Sequence, residues 1–198
     1  MKIQKEIPLQ SPITDDEDIK KLNIGDKVLL SGIIITGRDA FHKKLISMDS
    51  NPSFLPVGSA IYHCGPIAKF AANHSIQLLA AGPTTSWRMG LYAPKIIEKF
   101  KIKIFIGKGG MGDNFTEACK KYTAIYLSFP GGCAQSACQY ISKVKGCYFL
   151  EEFGPAEAAY EIYVKNFPLI VTIDSYGRSL HRQVKENSTK LNQKIIHD

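Results

Sequence analysis

Ile102-Lys103-Ile104-Phe105-Ile106-Gly107-Lys108-Gly109-Gly110 is a short β-branched run that ends on glycines, and the segments after it set the fold class. A helical stretch from about Asn114 to Tyr122 leads to another apolar run, Ala124 to Phe129. A further glycine turn, Pro130-Gly131-Gly132, then opens a predicted helix from Ala134 to Val144. Strands separated by helices of this length need crossovers, which are right-handed and lay the strands side by side in parallel. The class is therefore α/β, a sheet with flanking helices.

Working outward, the same order recurs upstream. Lys27 to Thr36 is an apolar strand ending at Gly37, with Gly32 placed for a bulge. Asp39 stands where a helix N-cap belongs, and Ala40 to Met48 reads as a short helix. Ser59 to His63 is a strand that runs into Cys64-Gly65-Pro66, and Ser75 to Ala81 is another. Gly90 and Pro94 interrupt the next segment, so a helix is expected from about Pro94 to Phe100, with Thr84 to Arg88 as loop. Two more strands are expected at about Glu161 to Val164 and Leu169 to Asp174. The domain division is an arm at 1–26 with a capped helical turn, a domain at 27–178, and a polar tail at 179–198.

The bulk properties narrow the function classes. A chain of 198 residues suits one domain with trimmings. No apolar run approaches the roughly 18 residues of a membrane span, and the charged start Met1-Lys2-Ile3-Gln4-Lys5-Glu6 is unlike a secretion signal, so a soluble cytoplasmic protein is expected. The net charge of +7 comes from lysines spread along the chain without interleaved aromatics, which argues against nucleic acid and for small acids or an acidic partner. The five cysteines, Cys64, Cys119, Cys133, Cys138 and Cys147, include no C-x-x-C pair, so neither a disulfide framework nor a metal site is expected.

Four loops end strands with glycine: Thr36-Gly37-Arg38-Asp39, Gly82 to Arg88, Gly107 to Gly110, and Pro130 to Gly132. In open α/β sheets such loops gather at the carboxyl ends of the strands, where small ligands bind. Arg38, Arg88 and Lys108 there suit a dicarboxylate, because arginine grips a carboxylate with paired N–H donors and lysine adds a compact charge. Each residue also has a plainer reading. Thr84, Thr85 and Ser86 are the residues of a hydroxyl-rich turn, Arg38 and Asp39 of a surface pair, and His42 and His63 of a packed core.

Five motifs tip the balance. Thr36-Gly37-Arg38-Asp39-x-x-His42, Ile61-Tyr62-His63-Cys64-Gly65-Pro66, Ala81-Gly82-Pro83-Thr84-Thr85-Ser86-x-Arg88-Met89, Ile106-Gly107-Lys108-Gly109-Gly110-Met111 and Tyr126 to Ala134 together resemble the beta subunit, or C-terminal domain, of the iron-sulfur class I fumarases and L(+)-tartrate dehydratases. The resemblance covers about residues 1 to 180 in consistent order, departing near Gly154-Pro155-Ala156-Glu157-Ala158, where Glu157 takes no role from it. It implies a swivelling β/β/α fold with a mixed sheet. It also implies an alpha subunit that holds a four-iron four-sulfur cluster through three cysteines, with none bound by this chain, in a heterodimer or heterotetramer. Carried over by motif, Arg38, Arg88 and Lys108 would meet the substrate, and Thr84 would sit at the reacting carbon as proton carrier. Asp39, His42, Thr85 and Ser86 would stand behind them. The cluster's open iron would be the Lewis acid and this chain the cationic clamp in reversible hydration of fumarate to L-malate. Three alternatives stay open: L(+)-tartrate as substrate, a non-catalytic module for a dicarboxylate or nucleic acid, and a homodimer of the isolated chain.

Overall fold

The computed structural model describes residues 6–72 and 75–197, with only the backbone of 191–197. The first five residues of the predicted arm and the final Asp198 lie outside the described residues. Four strands form the parallel set: β2 (Lys27–Thr36), β3 (Ala60–Tyr62), β6 (Ile104–Gly107) and β7 (Ile125–Ser128), paired in that order. The long β9 (Ala159–Ile173) runs antiparallel to both ends of this set, meeting β2 from Glu161 to Ile170 and β7 from Ile170 to Ile173. The five strands therefore close into a ring. β1 (Glu6–Ser11) extends β2 in parallel, and β8 (Ile141–Tyr148) extends β9 in antiparallel.

Alternating residues build two cores. Leu30, Ile34, Tyr62, Ile106, Leu127 and Ile162 belong to one buried cluster, whose members occupy one face of each strand and fill the ring. Their neighbours Ile35, Ile61, Phe105 and Tyr126 belong to a second cluster, which lies against α2 (Asp39–Ser47), α3 (Ala93–Phe100) and α4 (Asp113–Tyr122). Strands buried on both faces explain why these runs read as continuously apolar. The end where the parallel strands begin is plugged by Ile19 and Leu22 at α1 (Glu17–Lys20), fixed by Ile13 N–H to Gly58 O at 2.8 Å and by the Lys103–Asp16 ion pair. At the opposite end lie the hairpin of β4 (Ile67–Phe70) with β5 (Ile76–Ala80) and the short α5 (Ala134–Cys138).

Three expectations are corrected. The helix predicted over Ala134–Val144 stops at Cys138, and the chain continues as β8. Ile141, Val144 and Cys147 recur every third residue, which reads as a helical face, but the open edge of β9 supplies backbone partners that override this local pattern. The two strands predicted at 161–164 and 169–174 are one strand. Asn166 takes a positive φ of 50°, and Ser31 of β2 faces the extra residues Lys165 and Asn166, so the apparent break is a bulge. The loop expected at Thr84–Arg88 becomes a 3-10 helical segment from Ser86 to Leu91. The mixed α/β class holds, and the polar tail is the helix α6 (Leu180–His197). Among the described residues no helix is long and apolar enough to cross a membrane.

Phe105 is fully buried between the ring wall and α4, edge-on to Phe115 at 5.3 Å. Phe105→Ala is expected to lower the unfolding free energy by roughly 3 to 5 kcal/mol in urea titration, and a loss under about 1 kcal/mol would contradict this two-core packing.

Candidate active site

The four parallel strands end at Thr36, Tyr62, Gly107 and Ser128, so the loops after them share one rim of the ring. A fifth segment, Ala81 to Arg88, is laid across that rim by its backbone. Thr84 N–H donates to His63 O at 2.7 Å, Ser86 N–H donates to Lys108 O at 3.0 Å, and Pro83 and Thr85 pair with Cys64 and Lys108. The rim thus brings together Arg38, Thr84, Arg88 and Lys108, although they are spread over 71 positions from Arg38 to Lys108.

Both arginines are already engaged by carboxylates. Arg88 grips Asp39 side-on, with Nε 3.2 and 3.1 Å from its two oxygens and Nη2 2.9 Å from Oδ2. This pairing holds the Asp39 carboxyl below its ordinary range and raises the guanidinium. The sequence pattern puts Asp39 at the cap of α2. Arg38 occupies that position instead, with extended backbone, and the cap makes no side-chain hydrogen bond, because a guanidinium has no acceptor to offer. Arg38 Nε lies 3.2 Å from Glu157 Oε1, and Glu157 Oε2 accepts from Ala40 N–H at 3.1 Å, satisfying an amide of the first helical turn. A Cβ at position 65 would fall 2.6 Å from Arg38 Cδ, so Gly65 is what lets the arginine lie flat there. Lys108 is half-buried near Gly131 and has no ion-pair partner among the described residues.

Beneath the rim is a buried polar floor. His42 Nδ1 lies 2.8 Å from Arg38 O, and since a carbonyl only accepts, Nδ1 carries the proton. The rings of His42 and His63 meet edge-on at 5.0 Å, and His63 Nδ1 is 2.8 Å from Ser86 Oγ. Gly107 makes this possible: a Cβ there would sit 1.9 Å from Ser86 Oγ and 3.1 Å from both His63 Nδ1 and the Tyr126 hydroxyl. Burial pushes His42 down to about 4 and His63 well below the usual histidine range, so both are neutral. The Nε2 atoms of both rings, the Tyr126 hydroxyl and Arg38 Nε are buried without a hydrogen-bond partner among the described residues, so Arg38 meets Glu157 by charge alone.

Of the expected supporting residues, His42 and Ser86 join this floor, Asp39 grips Arg88, and Thr85 pairs through its backbone beside an exposed side chain. Sequence reasoning misses Glu157 and His63 as members of the site. The departure from the family pattern at Pro155 hides Glu157, and the apolar setting of Ile61-Tyr62-His63 gives His63 the character of a packing residue. The cysteines do not fit an iron-sulfur cluster. Among the described residues no three His, Cys, Asp or Glu side chains gather to hold a metal, and burial raises the thiols of Cys64, Cys119, Cys138 and Cys147, disfavouring the thiolates a cluster needs.

Comparison with known proteins places this rim in a lineage. A family profile described as "Fumarase C-terminus" matches residues 1–184. The chain belongs to that family. It is 44% identical over 191 residues to a putative fumarate hydratase class I of Geobacillus stearothermophilus, covering 94% of this chain but only 36% of that relative. It is 42% identical to a putative L(+)-tartrate dehydratase subunit beta of Methanocaldococcus jannaschii, covering 90% of this chain and 94% of the relative. The L(+)-tartrate dehydratase subunit beta of Escherichia coli strain K12 is 33% identical over 92% of this chain and 90% of its own length. In this family the chain therefore corresponds in extent to a separate beta subunit, and to about a third of the longer fumarate hydratase.

The neutral floor has a pH consequence. A histidine held near 4 when folded and near 6.5 when unfolded lets the unfolded chain bind the extra proton between those values, so stability is lost as pH falls through that window. Acidification from pH 7 to 5 is expected to cost about 2 kcal/mol through His42, with His63 adding in the same direction. In urea titrations at the two pH values, His42→Gln should flatten this dependence; an unchanged slope would show that His42 binds its proton as readily in the fold as in the unfolded chain.

Proposed function

We propose that this chain is the beta subunit of a two-subunit iron-sulfur hydro-lyase that interconverts fumarate and L-malate in the cytoplasm. On this reading its fold is the swivelling β/β/α domain of the family, and an alpha subunit, in a heterodimer or heterotetramer, carries the four-iron four-sulfur cluster. The observation that carries the reading is the convergence of Arg38, Arg88, Lys108 and Thr84 on one rim, between backbone segments that hydrogen-bond one another.

This chain's share of the chemistry is positional and electrostatic. Arg38 and Arg88 take the substrate carboxylates, and Lys108 faces the charge that grows on the acid-enolate once a proton leaves carbon. Thr84 holds its hydroxyl at the reacting carbon as proton carrier. A threonine is a weak base unaided, so its activating group belongs to the partner. The charge balance agrees with a shared site. Arg38, Arg88 and Lys108 bring three positive charges while Asp39 and Glu157 bring two negative ones, a net of one against a doubly charged substrate. The remaining attraction has to come from outside this chain.

The surface beside the site suits that role. Trp87 is 64% and Leu91 79% exposed on the 3-10 segment that presents Arg88, and large apolar side chains left in water next to a charged site mark a contact surface. A second reading, L(+)-tartrate as substrate, is favoured by the length match to the two tartrate dehydratase beta subunits.

In the complex assembled anaerobically with its alpha subunit, Arg88→Ala and Lys108→Ala are each expected to cost roughly 2 to 4 kcal/mol of transition-state stabilisation, a loss of about 30-fold or more in kcat/KM for L-malate. Turnover within about threefold of the parent for both variants would refute the clamp.

A further inference from the structure

We propose that Asp39 and Glu157 are positioning residues: fixed to the first turn of α2, they aim the Arg88 and Arg38 guanidiniums so that the outer edge of each is free for a carboxylate of the substrate. The inference rests on the clamp reading and goes beyond it, because that reading gives neither carboxylate a task in binding.

The geometry points this way through a hydrogen-bonded grip at Arg88 and an ion pair at Arg38. Asp39 takes Nε and one Nη2 proton of Arg88 from the side, at 2.9 to 3.2 Å. A guanidinium has five N–H donors, so the Nη1 pair and the other Nη2 proton remain as an end-on fork, the arrangement that meets a further carboxylate bidentately. Glu157 Oε1 pairs with Arg38 from the same chemical side, 3.2 Å from Nε, as an ion pair without the alignment of a hydrogen bond, and the side chain lies over Gly65, where a Cβ would meet its Cδ and Nη1. The two carboxylates are tied to one structural unit. Asp39 is the first residue of α2, and Glu157 is held to the next residue by the Ala40 N–H bond to its other oxygen. A helix start also favours negative charge, which steadies both acids there.

The arrangement solves a problem of flexible cations. A free arginine samples many rotamers, and a substrate would have to arrest that motion on binding. Here the arrest is built in before the substrate arrives. Lys108, which has no such partner among the described residues, is left to adjust to the charge that develops during reaction.

Two measurements test the assignment. In the full chain alone, arginine side-chain NMR should show slowly exchanging Nε–H signals for Arg38 and Arg88. Asp39→Ala should remove the Arg88 signal and keep that of Arg38, while Glu157→Ala should do the reverse. In the assembled enzyme, each alanine variant should raise KM for L-malate about tenfold or more with kcat within about threefold, and Asp39→Glu should recover much of the loss at an unchanged melting temperature. Retention of both Nε–H signals in both alanine variants would overturn the pairing. A KM unchanged, or lowered, by Asp39→Ala while Arg88→Ala raises it would overturn the positioning role and leave the clamp standing. If Arg88→Ala also leaves kcat/KM intact, the clamp fails and the positioning role fails with it.

Discussion

Everything at the rim follows from the closure of the ring by β9. This strand hydrogen-bonds β2 along one edge and β7 along the other, so the parallel set has no free margin and its four carboxyl ends cannot spread apart. A ring of five strands leaves room inside only for side chains, and that space is filled by the inward residues of each strand. Chemistry is therefore confined to the rim, where the loops after Thr36, Tyr62, Gly107 and Ser128 are forced into contact. The segment from Ala81 to Arg88 completes the rim by pairing with the ends of β3 and β6.

The rim combines two electrostatic layers that support each other. Below, His42, His63, Ser86 and Tyr126 form a buried layer whose histidines are neutral, and only a glycine at position 107 is small enough to let it close. Above, two arginine–carboxylate pairs and a lysine sit partly exposed. An uncharged layer of low polarisability under the cations lets their field act upward, toward the open side, with less loss than a charged or wet layer would cause. That open side is bordered by the exposed Trp87 and Leu91.

Much of this is legible in the chain. The glycine-punctuated strands at Lys27–Thr36, Ile104–Gly107 and Ile125–Ser128 follow from β-branched runs that end where a turn is needed, and the loops after the first two carry Arg38 and Lys108. What escapes depends on pairing at a distance. β8 has a helical spacing and becomes a strand only because the edge of β9 is open to it. β1 lies in a segment that reads as an arm, and it joins the sheet through β2. Asp39 obeys the local rule for a helix cap, yet it is the first residue inside α2 and its carboxylate is gripped by Arg88, 49 residues on. Glu157 carries no local signal at all; its role follows from where the turn before β9 sets it down.

If this rim is half of an active site, it should be silent by itself. Turnover of L-malate and of L(+)-tartrate can be measured anaerobically for the purified chain, for its cluster-bearing partner, and for the two mixed. Neither chain alone should turn over either substrate, and mixing should restore turnover of one of them. Turnover by this chain alone would make the rim a complete site, and turnover by the partner at the same rate with and without it would leave the rim no part in the reaction.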